Sequence, residues 1–195
     1  MPDSSPSNQC LPRQPGSFCL ALGGGDSPSS RAGSLLFKTR GLSTAQVTDR
    51  VSDFIEREKI DMTVVDADGI GATVYDQLVA RGYGAKTHQF HGGHPANHSH
   101  AYYNRRTEIW GLLRDGLKAG IEIPDDPELE ADLTGPEYGF SNQSQVQLEK
   151  KDDMKARGLQ SPDMGDACAM TYAVQLMAKP KKKPSHSPGT MSPWS

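Results

Sequence analysis

Short β-branched runs alternate with helical patterns through the middle of this 195-residue chain. The clearest strand is Met62–Asp66 (MTVVD), which is followed by a glycine turn and a second helical pattern. A helix is also predicted before this strand, because Val47, Val51 and Ile55 recur at the spacing of one helical face. Strands that alternate with helices pack as a sheet with helices on its faces, so the sequence predicts an α/β fold.

The same patterns predict the remaining elements of the fold. Further strands are predicted at Ser17–Leu22, Ser34–Thr39, Ala85–Phe90 and Val146–Leu148. The helix after the glycine turn is predicted to bury Val79 and to end at Gly82. A long helix is predicted over Tyr102–Leu117, and a last one begins at Ser161-Pro162, with Ser as N-cap, and runs through Met177.

The two ends of the chain differ in composition from the middle. Residues 1–33 are crowded with Ser, Pro and Gly, and residues 179–195 are rich in Lys and Pro without an acid. Such segments have too few apolar side chains to build a core. We therefore predict a disordered or non-homologous segment at 1–33, a folded domain at 34–178 and a basic disordered tail at 179–195.

Composition excludes several classes of protein. No stretch approaches 18 consecutive apolar residues, so no membrane-spanning helix is expected. The N-terminus lacks the basic and apolar regions of a secretory signal. The three cysteines are scattered without pairs, which favours a reducing compartment. A net charge of -3 argues against a general polyanion binder but permits a local basic face.

The first candidate site is the end of the predicted strand at Asp66, with Asp68 beside it and Gly69-Ile70-Gly71 after it. In open α/β sheets, ligands bind outside the carboxyl ends of the strands. One alternative is a plain strand-to-helix turn in which an Asp caps the helix. Another is a dinucleotide loop, which is disfavoured because the third glycine is missing and the acids would repel a pyrophosphate.

The second candidate is the first turn of the last helix, where Asp163 and Asp166 share a face. The helix dipole favours acids there, which explains Asp163 without any further function. It explains Asp166 less well, because Gly165 and Ala167 are small, as if the backbone packs closely. Carboxylates that converge from a strand end and a helix suit Mg²⁺ or Mn²⁺, and two such ions can stabilise the cleavage of a phosphodiester.

Two further groups of residues are weaker candidates. Five of the six histidines lie at His88–His100 on a Gly- and Pro-rich stretch, whose spacing matches no zinc pattern. We interpret this stretch as a polar surface loop, with a metal role as the lesser alternative. Basic residues precede the last helix and could contact DNA phosphates, although a solvated surface would show the same charges. They are Lys150, Lys151, Lys155 and Arg157.

Four motifs in this order resemble a known family. They are VVDADGIGATVYDQL (64–78), YYNRRTEIWGLL (102–113), IPDDPELEADLTGPEYGF (123–140) and LEKKDDMKARGLQSPDMGDACAMTYA (148–173). Over Gly41–Ala178 the chain resembles the C-terminal nuclease domain of the large terminase subunits of tailed phages. The resemblance implies an RNase H-like mixed sheet flanked by helices, and a metal-dependent endonuclease that cuts concatemeric viral DNA. The sequence leaves open whether Ser17–Leu22 supplies the first strand of that sheet or whether the chain lacks a proper first strand.

The resemblance also implies site residues, cofactors and partners. It places Asp66 and Asp166 as catalytic metal ligands, with Asp163 and Asp68 as neighbouring ligands. The implied cofactor is Mg²⁺ or Mn²⁺ at a two-metal site. The implied partners are double-stranded DNA, the small terminase subunit and the portal. The implied location is the cytoplasm of a bacterial host cell, away from any membrane.

The chain departs from the family in two respects. It has no Walker A pattern, so it is not expected to be the ATPase motor. The family's first strand carries an acid, whereas Ser17–Leu22 has none and Asp26 follows it in a glycine turn. These departures suggest a truncated prophage gene that cuts DNA feebly or not at all. Three hypotheses follow: a nuclease whose third acid is Asp26 or Asp68, an inactive remnant that binds DNA weakly, or an unrelated nucleotide-binding module.

Overall fold

The computed structural model describes residues 18–24, 32–39 and 41–174. Its strands are β1 (Phe18–Gly24), β2 (Ala32–Thr39), β3 (Thr63–Asp66), β4 (Thr87–Phe90), β5 (Tyr138–Phe140) and β6 (Val146–Leu148). Its α-helices are α1 (Thr44–Arg57), α2 (Gly71–Leu78), α3 (Arg105–Lys118), α4 (Pro127–Thr134), α5 (Lys151–Ala156) and α6 (Asp163–Met170). The α/β prediction is confirmed.

Strand pairing brings the first candidate site to one edge of the fold. β3 and β4 run parallel, with Asp66 opposite Phe90 at their carboxyl ends. β1 pairs with β2, and β5 with β6, in antiparallel fashion. The described strands therefore form three two-stranded sheets, one parallel and two antiparallel. β1 also contacts α6, the helix that carries Asp166. One site could therefore be formed by three parts of the chain: the end of β3, the start of the segment after β4, and helix α6.

Helix α1 forms as the sequence predicts. The Ser43 side chain accepts the N–H of Gln46, whose own side chain accepts the N–H of Ser43, so both ends of a capping box are satisfied. The helix buries Val47, Val51 and Ile55. These side chains belong to the first core cluster, built from α1, β3 and α2: Val47, Val51, Ile55, Ile60, Val65, Val74 and Leu78.

A second core cluster lies on the other side of β3 and β4. Its buried members come from β4, α3 and α6: Phe90, Ile109, Trp110, Leu113 and Ala169. A charged residue is buried beside this cluster: the Glu108 side chain on α3 is only 1% exposed. The two clusters therefore differ in kind: one is apolar, and the other surrounds ionised groups.

Several predicted boundaries are corrected by the structure. Helix α3 begins at Arg105 rather than Tyr102, because Asn104 caps it and Tyr102 bridges to Val146 instead. Val79 is 42% exposed, because α2 ends at Leu78 and the chain continues as a π turn.

Helix α6 is also shorter than predicted. It begins at Asp163, with Pro162 as its N-cap, and it ends at Met170, before the predicted end at Met177.

Three elements were missed by the sequence analysis: α4, β5 and α5. Helix α4 carried a readable signal, since Asp126 caps it and Pro127 occupies its first turn. None of the helices in the described ranges is long and apolar enough to cross a bilayer. The predicted strand at Ser17–Leu22 corresponds to β1. Most of 1–33 and all of 179–195 lie outside the described residues, so the predicted division into three segments stays a prediction.

Candidate functional site

A cavity of about 350 Å³ opens where β3, α3, α5 and α6 meet. Its charged lining comes from four separate parts of the chain: Asp66, Asp68, Arg106, Lys150, Lys151 and Asp166. The carboxylates at the end of β3 and on α6, far apart in sequence, thus face the same space. This is the convergence that the sequence analysis predicted for them.

Asp66 ends β3 and opens into the cavity. One of its carboxylate oxygens, Oδ1, accepts the backbone N–H of Asp68 at 3.1 Å. The residue is exposed at the mouth of the cavity. Neighbouring protein atoms still displace part of the water around its carboxyl, and this desolvation raises its pKa above the ordinary 3.8. The hydrogen bond from Asp68 and the charge of Lys151 oppose the rise in pKa, whereas the charges of Asp68 and Asp166 add to it. Asp66 is therefore a carboxylate with an unmet demand for positive charge.

The carboxylate of Asp166 has two differently occupied oxygens. Oδ1 accepts two hydrogen bonds, from Arg106 Nε at 2.9 Å and from Trp110 Nε1 at 2.8 Å. Oδ2 is buried and accepts no hydrogen bond, but it meets the ammonium group of Lys151 at 2.7 Å as an ion pair. The side chain is 14% exposed. Asp166 is thus held by two hydrogen bonds to Oδ1, while its Oδ2 forms an ion pair with Lys151.

Asp68 lines the cavity but already has two partners. Its Oδ1 lies 2.9 Å from His91 Nδ1, and its Oδ2 accepts the N–H of Gly92 at 3.1 Å. It therefore anchors the segment that leaves β4. Asp163 lies outside the cavity lining. Burial raises the pKa of Asp132 on α4, and the charge of Asp163 adds to this rise. The predicted metal-binding roles of Asp68 and Asp163 stay predictions.

The donor set suits a divalent cation. Carboxylate oxygens are the ligands that Mg²⁺ and Mn²⁺ prefer, and Asp66 and Asp166 present them to one cavity. The Lys151 ammonium acts as a stand-in cation, because it contacts Asp166 and opposes the rise in the pKa of Asp66. Within the described ranges, no three His, Cys, Asp or Glu side chains form a ready metal cluster. Asp26, one of the two candidates for the third acid, lies outside those ranges.

The histidine segment is held by acids. Besides the pair of His91 with Asp68, His98 Nδ1 lies 2.6 Å from the buried Glu108. Glu108 also accepts the N–H groups of Asn97 and His98 and a hydrogen bond from Arg105. These contacts fold the segment against α3 and agree with its interpretation as a polar surface loop.

The four predicted DNA-binding residues are divided between two places. Lys150 and Lys151 line the cavity. Lys155 instead pairs with Asp152, and Arg157 pairs with Glu149 and Glu137. Only the first two lie where a phosphate at the carboxylates would be contacted. The role of the whole group in DNA binding stays a prediction.

The sequence analysis missed the residues that position Asp166. Arg106 and Trp110 both lie in the second of the four motifs (102–113), but neither was assigned a role at the site. The smallness of Gly165 was the available signal. A Cβ there would come within 2.9 Å of the Trp110 ring, so glycine lets the indole approach α6. Asp132 was also missed, although it accepts the N–H groups of Met164 and Gly165 and so caps α6 from α4.

Comparison with protein-family models and with curated proteins finds no match to the chain. Solved structures do match. The nuclease domain of the large terminase subunit gp2 of bacterial virus Sf6 is 18% identical, with a TM-score of 0.58 over 78% of this chain and 85% of that one. A point mutant of that domain with manganese is 19% identical, with a TM-score of 0.59 over 74% of this chain and 84% of that one.

The large terminase nuclease of thermophilic phage G20c, with bound magnesium, is also similar. It is 15% identical, with a TM-score of 0.52 over 82% of each chain. Other structures of these two nucleases hold calcium or cobalt. At these identities the likeness establishes the fold. The chain therefore has the RNase H-like fold of terminase nuclease domains, which confirms at that level the resemblance seen in the four motifs.

Proposed function

We propose that this chain is a divalent-metal-dependent DNA endonuclease domain of the phage terminase type. The observation that carries the proposal is the meeting of Asp66 and Asp166 in one cavity, where the Lys151 ammonium pairs with Asp166. The fold supports it, because the matched structures are nuclease domains that were solved with divalent cations. Apolar packing does not account for either carboxylate, since desolvation raises the pKa of Asp66 and the buried Oδ2 of Asp166 lies against the Lys151 ammonium.

Asp66 and Asp166 would hold the cation, and Asp68 would stand at the rim. A pair of divalent ions supplies charge stabilisation for the attacking and leaving oxygens of an in-line displacement at phosphorus. The chain's own residues prepare that site. Arg106 holds Asp166 in place, Lys150 offers a charge for the DNA backbone, and the cavity walls reduce competition from water.

Lys151 has a second role in this scheme. Its ammonium group neutralises Asp166 at 2.7 Å, in the space where a cation would bind. With a divalent ion bound, Lys151 would share Asp166 with the ion or move away from it, and its ammonium group would then be available to a DNA phosphate. The same residue thus neutralises Asp166 in this structure and would contribute to DNA binding.

The proposed substrate is double-stranded DNA, cut from concatemers in the cytoplasm of a bacterial host. The proposed protein partners are the small terminase subunit and the portal. Phosphate contacts from Lys150 and Lys151 make the affinity for DNA fall with increasing salt, because counterions are released on binding. Replacing both lysines should flatten that dependence.

A catalytically inactive, weakly DNA-binding domain is the alternative function. The strand β1, which contacts α6, has the sequence FCLALGG and offers no acid. Within the described residues the carboxylates at the cavity do not form a three-ligand cluster. Removing one ligand from a two-metal site commonly costs one metal and with it much of the rate.

Plasmid nicking by the full chain distinguishes the two functions. We expect feeble cleavage that needs Mn²⁺ and disappears in Asp66→Ala and Asp166→Ala. The matched control is Asp152→Ala, because Asp152 is 90% exposed, lies outside the cavity lining and forms its ion pair with Lys155. DNA binding without cleavage would establish the inactive alternative. Cleavage that survives both aspartate replacements would contradict the proposed site, and cleavage that Asp26→Ala also abolishes would identify the third ligand.

A further inference from the structure

We infer that Arg106 and Trp110 form a clamp that fixes the orientation of Asp166 and presents its Oδ2 alone to the cavity. The inference rests on the proposed function only in naming a divalent cation as the ligand of Oδ2. It makes Arg106 and Trp110 positioning residues, which act on the metal through Asp166 rather than by contact.

The occupancy of the two oxygens carries the inference. Oδ1 accepts one hydrogen bond from a guanidinium and one from an indole, at 2.9 and 2.8 Å, so both of its lone-pair directions are used. Oδ2 is buried and, among the residues that the structure describes, forms an ion pair with the Lys151 ammonium at 2.7 Å instead of a hydrogen bond to α3. A carboxylate held in this way cannot exchange its oxygens by rotation, and it can offer a cation a single oxygen in a fixed direction.

The two donors are themselves fixed. They lie four residues apart on α3, on one face of the helix. Arg106 also donates from Nη1 to the backbone carbonyl of Glu149 at 2.9 Å, and its guanidinium lies 5.7 Å from the centre of the Trp110 ring. Trp110 is 8% exposed and belongs to the second core cluster. Neither donor can follow Asp166 if that side chain turns.

The backbone of α6 is shaped to receive the indole. Gly165 precedes Asp166, and a Cβ at this position would lie 2.9 Å from Trp110 Cη2 and 3.2 Å from Cζ2. The close approach of ring and helix places the indole N–H within reach of the neighbouring carboxylate. A purely apolar packing contact would not need the Nε1–H to point at Asp166.

Metal affinity separates a clamp from a structural ion pair. Groups that hold a metal ligand in place commonly change metal affinity by about 10–100-fold when they are replaced. An ion pair that only secures α6 would change stability and leave the affinity of the folded chain unaltered. Trp110→Phe removes the N–H and keeps an aromatic ring, whereas Arg106→Lys keeps the charge and removes Nε.

The experiment is a calorimetric titration of the full chain with Mn²⁺. We expect Trp110→Phe and Arg106→Lys each to weaken binding by about tenfold or more. Two controls on the same helix should keep the wild-type affinity: Leu113→Val, which disturbs the core, and Arg114→Lys, which alters an exposed guanidinium. Unfolding midpoints without metal show whether Leu113→Val matches the stability loss of the clamp variants. Wild-type affinity in both clamp variants would overturn the inference.

If the wild type binds no Mn²⁺, the proposed function is refuted but the clamp is not. A second measurement then tests the clamp. The indole N–H of Trp110 is followed by NMR, with Trp194→Phe identifying the other tryptophan. We expect Asp166→Ala to shift this resonance and to speed its exchange with water, while Asp163→Ala leaves both unchanged. Resonances of α1 report whether the variant is folded. If the chemical shift and the exchange rate of the indole N–H are the same in Asp166→Ala as in the wild type, the clamp is overturned.

Discussion

The first core cluster is held by apolar contacts, whereas the second surrounds charged groups that must find specific partners. In the first, side chains such as Ile55 and Leu78 are fully buried, and any neighbour of suitable shape satisfies them. In the second, Glu108, Asp166 and Asp132 each accept hydrogen bonds from named donors. A buried charge without partners is costly, so this part of the chain has little freedom in its residue types. The candidate site lies on the constrained side.

The largest expected effect is on stability, in Glu108→Ala. The replacement leaves Arg105 and the N–H groups of Asn97 and His98 without their shared acceptor. Breaking a buried charge pair by removing one partner commonly costs about 3–5 kcal/mol. Urea denaturation of the full chain measures the loss. A loss below about 1 kcal/mol, typical of a surface pair, would show that Glu108 is not an organising charge.

The pH dependence of that loss sharpens the comparison. Burial raises the pKa of Glu108, but hydrogen bonds from Asn97, His98 and Arg105 outweigh it and leave the pKa below the ordinary 4.5. A lowered carboxyl pKa contributes stability that is present above the unfolded value and is lost as the pH falls through the folded value. The difference between wild type and Glu108→Ala should therefore shrink below about pH 4.5.

A comparable but pH-independent loss is expected for Leu78→Ala in the first core cluster. Leu78 is 0% exposed, and truncation of such a side chain costs about 2–5 kcal/mol through lost burial and a residual cavity. Because no ionised group of that cluster changes partner, the loss should be the same at neutral pH and near pH 4. A loss that depended on pH as strongly as that of Glu108→Ala would remove the distinction between the two clusters.

The smallest expected effect is an increase in stability for Asp66→Asn without metal. Burial raises the pKa of Asp66, so the folded chain disfavours the ionised form. Below the unfolded pKa of 3.8 the carboxyl is protonated in both the folded and the unfolded state, and it does not reduce the free energy of unfolding. Above the folded pKa it is ionised in both states, and the free energy of unfolding is reduced by the full amount. Thermal unfolding should therefore show a stabilised variant at neutral pH and no gain near pH 3. Destabilisation at neutral pH would mean that Asp66 is fully compensated by the protein.

The apolar side of the molecule could be predicted from the sequence, because periodicity reports burial directly. Val47, Val51 and Ile55 were placed correctly on the inner face of α1. The convergence of Asp66 and Asp166 was also predicted, from the rule that places ligands at the carboxyl ends of strands. Val79 was placed wrongly, because a single π turn changes the face of a helix without a sequence signal that we could recognise.

The partners of the charged groups could not be predicted. Glu108 and Arg106 have the spacing of exposed helical residues, and only the tertiary fold brings them to His98 and Asp166. Arg157 was predicted to contact phosphate, yet its guanidinium pairs with Glu137 and Glu149. The partner of a charged side chain cannot be predicted from the spacing of residues along the sequence. The residues that complete the site were therefore the hardest to predict.

Helix α6 has eight residues, and isolated helices shorter than about 12–15 residues are marginal in water. Its contacts with Asp132, Arg106 and Trp110 therefore supply much of its persistence. Opening of α6 would break these contacts and expose Ala169 and Met164, and it would withdraw Asp166 while the first core cluster stays folded. On this account the lifetime of the assembled site depends on local opening of one short helix, and a chain folded in its first core cluster could still lack the site at a given moment.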